Sequence, residues 1–134
     1  MEKFYKKYNK SSLGYEIGNI SFVLANILES SSTKVIMSED TITKNLNHHP
    51  DLSQNDYLLL DEIIGKSHLV AKDDDRMVAI VIEKNKLYHY ALKSIKSGKA
   101  LFLTSFRRTN SISIDKIRNK HKKGKVEIIK DNLP

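Results

Sequence analysis

The segment KLYHYALKSIKSGKALFLTSFRR, residues 86–108, decides the fold expected for this chain. It contains two runs of alternating apolar residues, Leu87–Ser94 and Leu101–Phe106, which is the pattern of β-strands. The dipeptide Ser97-Gly98 between them favours a hairpin turn. We therefore expect two antiparallel neighbours in a sheet.

Alternation also predicts which side chains share a face of each strand. In the first strand, His89 and Lys93 are expected on the face opposite Tyr88. In the second strand, strict alternation puts one set together (Leu101, Leu103, Ser105, Arg107) and the other set opposite (Phe102, Thr104, Phe106, Arg108). The register between the strands is not fixed by the sequence, so the residues that face one another across the pair stay open.

Outward from this segment, the same signals predict further elements on both sides. The other predicted strands are Lys34–Met37, His68–Ala71, Met77–Glu83 and Val126–Ile129. Apolar residues three and four apart predict a helix over Tyr15–Glu29. Ser38 and Ser53 are expected to cap helices that run to about His48 and Gly65. A short basic helix is expected over Ile114–Lys122.

These elements predict an α+β fold in which the four strands between His68 and Phe106 form an antiparallel meander. At 134 residues the chain is expected to form a single domain over residues 1–134. Residues 1–14 have no clear hydrophobic period and are interpreted as a flexible arm.

The net charge of +7 is concentrated near the C-terminal end. Residues 84–125 contain thirteen lysines and arginines, with Asp115 as the one acidic residue. Such a surface attracts polyanions, nucleic acid or anionic lipid, although a solvated and solubilising face has the same composition.

Several classes of function lack their signatures in this sequence. The chain has no cysteine, which excludes disulfides and thiolate metal sites, and it has no glycine-rich phosphate loop and no H-x-x-x-H spacing. We therefore expect no metal and no cofactor. No apolar run approaches the roughly 20 residues that cross a bilayer, so no membrane partner is expected.

The side chains that remain for chemistry are His, Lys, Ser/Thr and Arg, which can act on a phosphodiester by proton transfer and charge stabilisation. Each also has a structural interpretation. His48 and His49 lie where a helix should end and would stabilise its dipole. Lys93 is equally typical of a solvated strand, and Arg107 with Arg108 of an ordinary basic surface.

Three stretches, KVIMSEDTITKNLNHHPDLSQNDYLLLDEII, KLYHYALKS and KALFLTSFRRT, resemble in their order the phage-borne nuclease domains of the barnase/EndoU/colicin/RelE-like superfamily found with Mu-F-like phage head proteins. The likeness covers about residues 34–109, the nuclease-like core. The matching motifs are Ser38–Thr41, His49-Pro50, Tyr57–Ile64, Lys93 and Leu103–Arg108.

The resemblance implies N-terminal helices packed on an antiparallel sheet of about four strands, and a ribonuclease that needs no cofactor. It implies that His49 transfers a proton and that Lys93 stabilises the charged phosphorane. It also implies that Arg107, together with Thr104 or Ser105, holds the phosphate. Arg108 follows as a second phosphate-binding arginine. His48 and His89 offer competing imidazoles for proton transfer, and His89, on the face of Lys93, is preferred to Glu83 as the second proton-transfer residue.

The resemblance therefore implies an RNA-cleaving, toxin-like effector of phage or mobile-element origin. Its expected partners are RNA and a cognate immunity protein or phage head protein. Its expected location is the cytoplasm of the bacterial host or the virion. The alternatives are a non-catalytic nucleic-acid-binding module and a phage structural or accessory protein that uses the same basic face.

Overall fold

A computed structural model describes residues 1–95 and 98–134, so Ser97 of the predicted turn lies outside the described residues. The strands are β1 (Asn9–Ser11), β2 (Gly14–Asn19), β3 (Lys34–Met37), β4 (Leu69–Asp73), β5 (Arg76–Glu83), β6 (Lys86–Ser94), β7 (Leu101–Arg108) and β8 (Glu127–Asp131). The helices are α1 (Glu2–Lys7), α2 (Phe22–Ile27), α3 (Glu39–His48), α4 (Gln54–Leu58), α5 (Leu60–Lys66) and α6 (Ser111–Lys122).

The strands form one mixed sheet in the order β1-β2-β3-β7-β6-β5-β4-β8. The class is α+β, but the predicted antiparallel sheet of about four strands is wrong. The meander β4 to β7 is present, and it is extended by β8 at one side and by β3, β2 and β1 at the other. The pairing of β3 with β7 is parallel, with Val35 opposite Leu101 and Ile36 opposite Phe102.

The predicted helix over Tyr15–Glu29 is also wrong, because its first half is strand β2 and only Phe22–Ile27 is helical. Tyr15 and Ile17 are buried while Glu16 between them is less so, which is the alternation of a strand. Ser21 then caps α2 by accepting a hydrogen bond from the Leu24 amide. Strand β2 pairs with β3 on one side and with β1 on the other, and so extends the sheet to the N-terminal segment.

Residues 1–14, interpreted from the sequence as an arm, contain α1 and β1. Phe4 is fully buried and its ring meets those of Tyr8, Tyr15 and Tyr57 at centroid distances of 5.0–6.1 Å. The Tyr8 hydroxyl donates a hydrogen bond to the Leu58 carbonyl. These contacts hold the first residues against helices α4 and α5.

The serines predicted to cap helices do so. Ser38 accepts a hydrogen bond from the Thr41 amide at the start of α3. Ser53 and Asp56 form a reciprocal capping box at the start of α4. The helix predicted to run from there to Gly65 is divided at Leu59 into α4 and α5, which ends at Lys66.

The two faces of the sheet are covered differently. One face, called here the helix face, carries the larger core, in which Tyr88, Tyr90 and Leu92 of β6 pack beneath the N-terminal helices. The opposite face, called here the α6 face, carries a smaller cluster that includes Ile80, Ala91 and Ile117 of α6. The alternation predicted for β6 is therefore present in the structure.

Strict alternation fails in β7 because the strand contains a β-bulge. The register with β6 shifts between Ala91, opposite Ser105, and Leu92, opposite Leu103, which leaves Thr104 without a partner. Leu103 and Phe106 consequently lie in the same core cluster. Ser105 and Arg107 are thus turned away from Leu103, onto the α6 face that carries His89.

Candidate functional site

The centre of the candidate site is a cross-strand pair on the α6 face, His89 of β6 and Arg107 of β7. Directly opposed residues of antiparallel strands have Cβ atoms about 5 Å apart, so one small anion can touch both side chains. Ser105, two residues before Arg107, lies on the same face opposite Ala91. All three side chains are partly buried.

His89 is held in an unusual environment for an imidazole. Burial, together with the positive charges of Arg107, Arg76 and Lys120, lowers the pKa of His89 to about 4. Its Nδ1 is buried and has no hydrogen-bond partner among the described residues. The ring is therefore neutral at pH 7 and surrounded by cations that a phosphate group would neutralise.

The guanidinium of Arg107 is oriented by hydroxyl groups of the segment that leads into α6. Its Nη1 donates a hydrogen bond of 3.2 Å to Oγ1 of Thr109. The hydroxyl of Thr109 is in turn hydrogen-bonded to that of Ser113 in the first turn of α6. Arg107 is thus fixed at one end of the guanidinium, and its other donors can bind a planar anion.

Lys93 and Thr104 lie towards the other end of the β6–β7 pair. Lys93 is opposite Phe102, four residues from His89, which corresponds to about 13 Å along an extended strand. Its ammonium group forms an exposed ion pair of 3.3 Å with Asp75. Thr104 Oγ1 donates a 3.3 Å hydrogen bond to the Ala91 carbonyl. Both residues line a cavity of about 580 Å³.

Arg108, which follows Arg107, points to the helix face. Its guanidinium carbon is 5.8 Å from the centre of the Tyr88 ring, and its buried Nε has no hydrogen-bond partner in the described part of the chain. The Tyr88 hydroxyl donates to the Asp56 carboxylate. Because the sheet lies between the two arginines, they cannot grip one phosphate from the same side.

His49 is the residue that follows α3, and it is partly buried. It lies one helical turn after Asn45, whose amide hydrogen-bonds both the N–H and the carbonyl of Phe106 in β7. This contact fixes α3 beside the edge of β7 that β3 leaves unpaired. The ring of His49 meets that of His48 edge-on at 6.5 Å.

The structure thus separates the predicted residues into three places. One group lies together on the α6 face and consists of His89, Ser105 and Arg107. A second group, Lys93 and Thr104, lies farther along the same two strands at the cavity. The third group, His49 and Arg108, lies on the side of the sheet that the N-terminal helices cover.

Sequence reasoning missed four residues that shape the site: Arg76, Thr109, Ser113 and Lys120. Only the basic composition of residues 116–125 pointed towards Lys120. Nothing in the sequence signalled Arg76, which reaches the His89 environment from β5. Thr109 follows Arg108 directly and Ser113 lies four residues farther on, a spacing that matters only once a helix begins at Ser111.

Helix α6 adds an exposed basic surface beside this site. Lys116, Lys120, Lys122 and Lys123 are exposed, whereas Arg118 is occupied structurally. Its Nε lies 2.9 Å from a carboxylate oxygen of Asp131, and its Nη2 donates to the Leu133 carbonyl. The lysines are the part of the helix that is free to meet a polyanion.

A metal centre and a membrane span are each recognisable from the placement of side chains and the length of helices. Within residues 1–95 and 98–134, no three His, Asp or Glu side chains lie close enough together to hold a metal ion. Over the same ranges, every helix is too short or too polar to span a lipid bilayer.

Comparison of the chain with models of protein families, with curated proteins and with solved structures finds no match in any of the three.

Proposed function

We propose that this protein is an endoribonuclease of phage or mobile-element origin that needs no metal, with its site on the α6 face of the sheet. The observation that supports this most is the pairing of the neutral, hydrogen-bond-deficient His89 with Arg107. A neutral imidazole can accept a proton at pH 7, and a guanidinium beside it can hold the phosphate that reacts.

In the proposed reaction His89 takes the proton from the ribose 2′-hydroxyl, and the resulting oxygen attacks the adjacent phosphorus. The bond from phosphorus to the 5′-oxygen breaks, which leaves a 2′,3′-cyclic phosphate and a free 5′-hydroxyl. Arg107 stabilises the charge that develops on the phosphorane oxygens. The departing 5′-oxygen takes its proton from water, because His49 lies at the end of α3 on the helix-bearing side and not beside His89. DNA lacks the 2′-hydroxyl and is not cleaved.

The three cations around His89 also suit this role. In the free protein, Arg107, Arg76 and Lys120 help to keep the imidazole unprotonated. A bound phosphodiester offsets the part of the pKa shift that comes from these charges, while burial, the larger cause, remains. Lys93, farther along the same strands, would contact a neighbouring phosphate or nucleotide rather than the one attacked.

The test is incubation of the purified protein with total RNA in the presence of a chelator. We expect cleavage by the native protein and a loss of about 10²–10⁴-fold in His89→Ala, as for removal of a general base. Arg107→Lys should lose most of the rate because a lysine cannot replace the planar guanidinium. His49→Ala and Lys93→Ala rank the contributions that the resemblance assigns to these two residues.

The matched control is His121→Ala, since His121 lies on the exposed C-terminal part of α6. Its cleavage rate should equal that of the native protein. If native protein leaves RNA intact, or if His89→Ala cleaves as fast as the native chain, the ribonuclease proposal fails.

A second function, non-catalytic binding of nucleic acid, is favoured by the exposed lysines of α6. It predicts that affinity falls steeply with salt and is insensitive to His89→Ala. Replacement of Lys120, Lys122 and Lys123 by alanine should reduce the slope of the salt dependence by about 0.7 for each single-strand phosphate that the protein no longer neutralises. Binding of this kind without cleavage would identify the chain as a binding module.

A further inference from the structure

We propose that the cavity at the Lys93 end of the β6–β7 pair binds one nucleobase of the RNA, and that it prefers a base with an exocyclic amino group. The inference rests on the proposed function, because it takes the strand that reacts at His89 to continue along the same face. It assigns the cavity a substrate and a preference.

The size and position of the cavity suit a base. Its volume of about 580 Å³ lies within the range of small-molecule sites. It opens where β6 ends and β7 begins, and its lining includes Lys93, Phe102 and Thr104. Lys93 is about 13 Å from His89 along β6, a length that two nucleotides of an extended strand can cover.

The lining combines an aromatic ring with hydrogen-bonding groups. Phe102 is partly buried and lies opposite Lys93, so its ring borders the cavity rather than the core on the helix face. Ile27 and Leu28 add apolar surface at the other side. A flat base can stack on the phenylalanine, as bases do in single-strand binding proteins.

The charges of the lining differ from those of the surrounding surface. Its charged lining is mixed, with the carboxylates of Asp75, Asp74 and Glu29 beside the ammonium groups of Lys93 and Lys72, although the site next to it is strongly basic. Carboxylates repel phosphate but accept hydrogen bonds from amino groups of bases. Asp75 is held 3.3 Å from Lys93, so the pair presents an acceptor next to a donor. Uracil and thymine have no amino group to offer to the carboxylate.

The experiment measures binding of short fluorescent 2′-deoxy oligonucleotides to the full chain by polarisation, because they cannot undergo the proposed cleavage. Oligonucleotides that carry a single cytosine or adenine in a thymine background are compared with thymine alone. We expect about tenfold tighter binding for the amino-bearing base, as one well-made base contact supplies.

Asp75→Asn should reduce that preference to about twofold or less, since the amide is a weaker acceptor. Phe102→Ala should weaken binding of every oligonucleotide about fivefold or more, because the bases can no longer stack on the ring. Asp115→Asn is the matched control, because it removes one negative charge from exposed surface outside the cavity. It should raise all affinities together and leave the preference unchanged.

Equal binding of all oligonucleotides by the native protein, or an unchanged preference in Asp75→Asn, would overturn the inference. Its failure is distinguishable from failure of the ribonuclease proposal. Cleavage of RNA without a base preference leaves a nuclease that lacks this subsite. A base preference without cleavage leaves a binding module that has it.

Discussion

The two faces of the sheet are built from the same strands but are put to different uses. On the helix face, Tyr88 and Phe106 are fully buried and stacked with ring centroids 5.5 Å apart. On the α6 face, their sequence neighbours His89 and Arg107 are partly buried, and an imidazole nitrogen lacks a partner among the described residues. Strand alternation thus lets one face carry the larger apolar core, while the other places an imidazole opposite a guanidinium across the β6–β7 pair.

The largest expected effect on stability is on the helix face. Phe106→Ala should lower the free energy of unfolding by about 3–5 kcal/mol, because it leaves a cavity among aromatic rings. Phe102→Ala on the α6 face should cost far less, since Phe102 is only partly buried. Urea denaturation of both variants makes the comparison, and equal losses would contradict the division between the faces.

A somewhat smaller loss is expected where α3 meets β7. Asn45→Ala should cost about 2–3 kcal/mol, because it leaves buried backbone groups of Phe106 without hydrogen bonds. Asn47→Ala, at an exposed position of the same helix, is the control and should change stability by less than about 0.5 kcal/mol. A loss of similar size in both variants would show that helix propensity, rather than the edge contact, is responsible.

The α6 face should make stability depend on pH. The pKa of His89 is lowered to about 4 by burial and the nearby cations, so the unfolded chain binds this proton more tightly than the folded one. Stability contributed by the neutral ring is complete above about pH 6.5, the ordinary value, and falls as pH decreases from there.

Thermal unfolding between pH 7 and pH 5 measures this dependence, and His89→Gln should reduce its slope. The slope should not vanish, because burial and two lysines, Lys130 and Lys66, also lower the pKa of His68. A slope unchanged by the substitution would mean that the imidazole is not held neutral by its surroundings.

The smallest effect is expected for the ion pair between Lys93 and Asp75. Their side chains are 55% and 64% exposed, so Asp75→Ala should change stability by less than about 1 kcal/mol. Added salt should remove most of that difference. A loss well above this value would indicate that the pair supports the fold instead of being available to a ligand.

Short-range patterns in the sequence predicted the local structure around the site. The strands β3, β6 and β7 follow from their apolar residues, and Ser38 and Ser53 act as the caps that their positions suggested. The split of β6 between a tyrosine face and a histidine face was also predictable, because period-two alternation is a local property.

The remaining features depend on contacts between distant segments. Strand β2 was taken for helix because Ile17 and Ile20 fit a helical spacing as well as a strand followed by a turn. That error accounts for part of the difference in sheet size, since β2 joins β1 to β3. The rest comes from the pairing of β3 and β8 with the meander, which joins segments far apart in the sequence. The bulge at Thr104 puts Arg107 on the face of β7 opposite to Leu103, and no residue in the sequence predicts this bulge. The encounter of His89 with Arg107 requires this register.

The amide of Asn45 has a consequence beyond the stability of α3. It occupies the donor and the acceptor that Phe106 would otherwise offer to an incoming strand. Unpaired strand edges invite neighbouring molecules to add their own strands, which is a common route to aggregation. The side chain of Asn45 therefore blocks intermolecular strand pairing at Phe106, in the middle of the sheet. Ser105 and Arg107 can therefore stay accessible on the α6 face while the backbone of β7 at Phe106 is not available to another molecule.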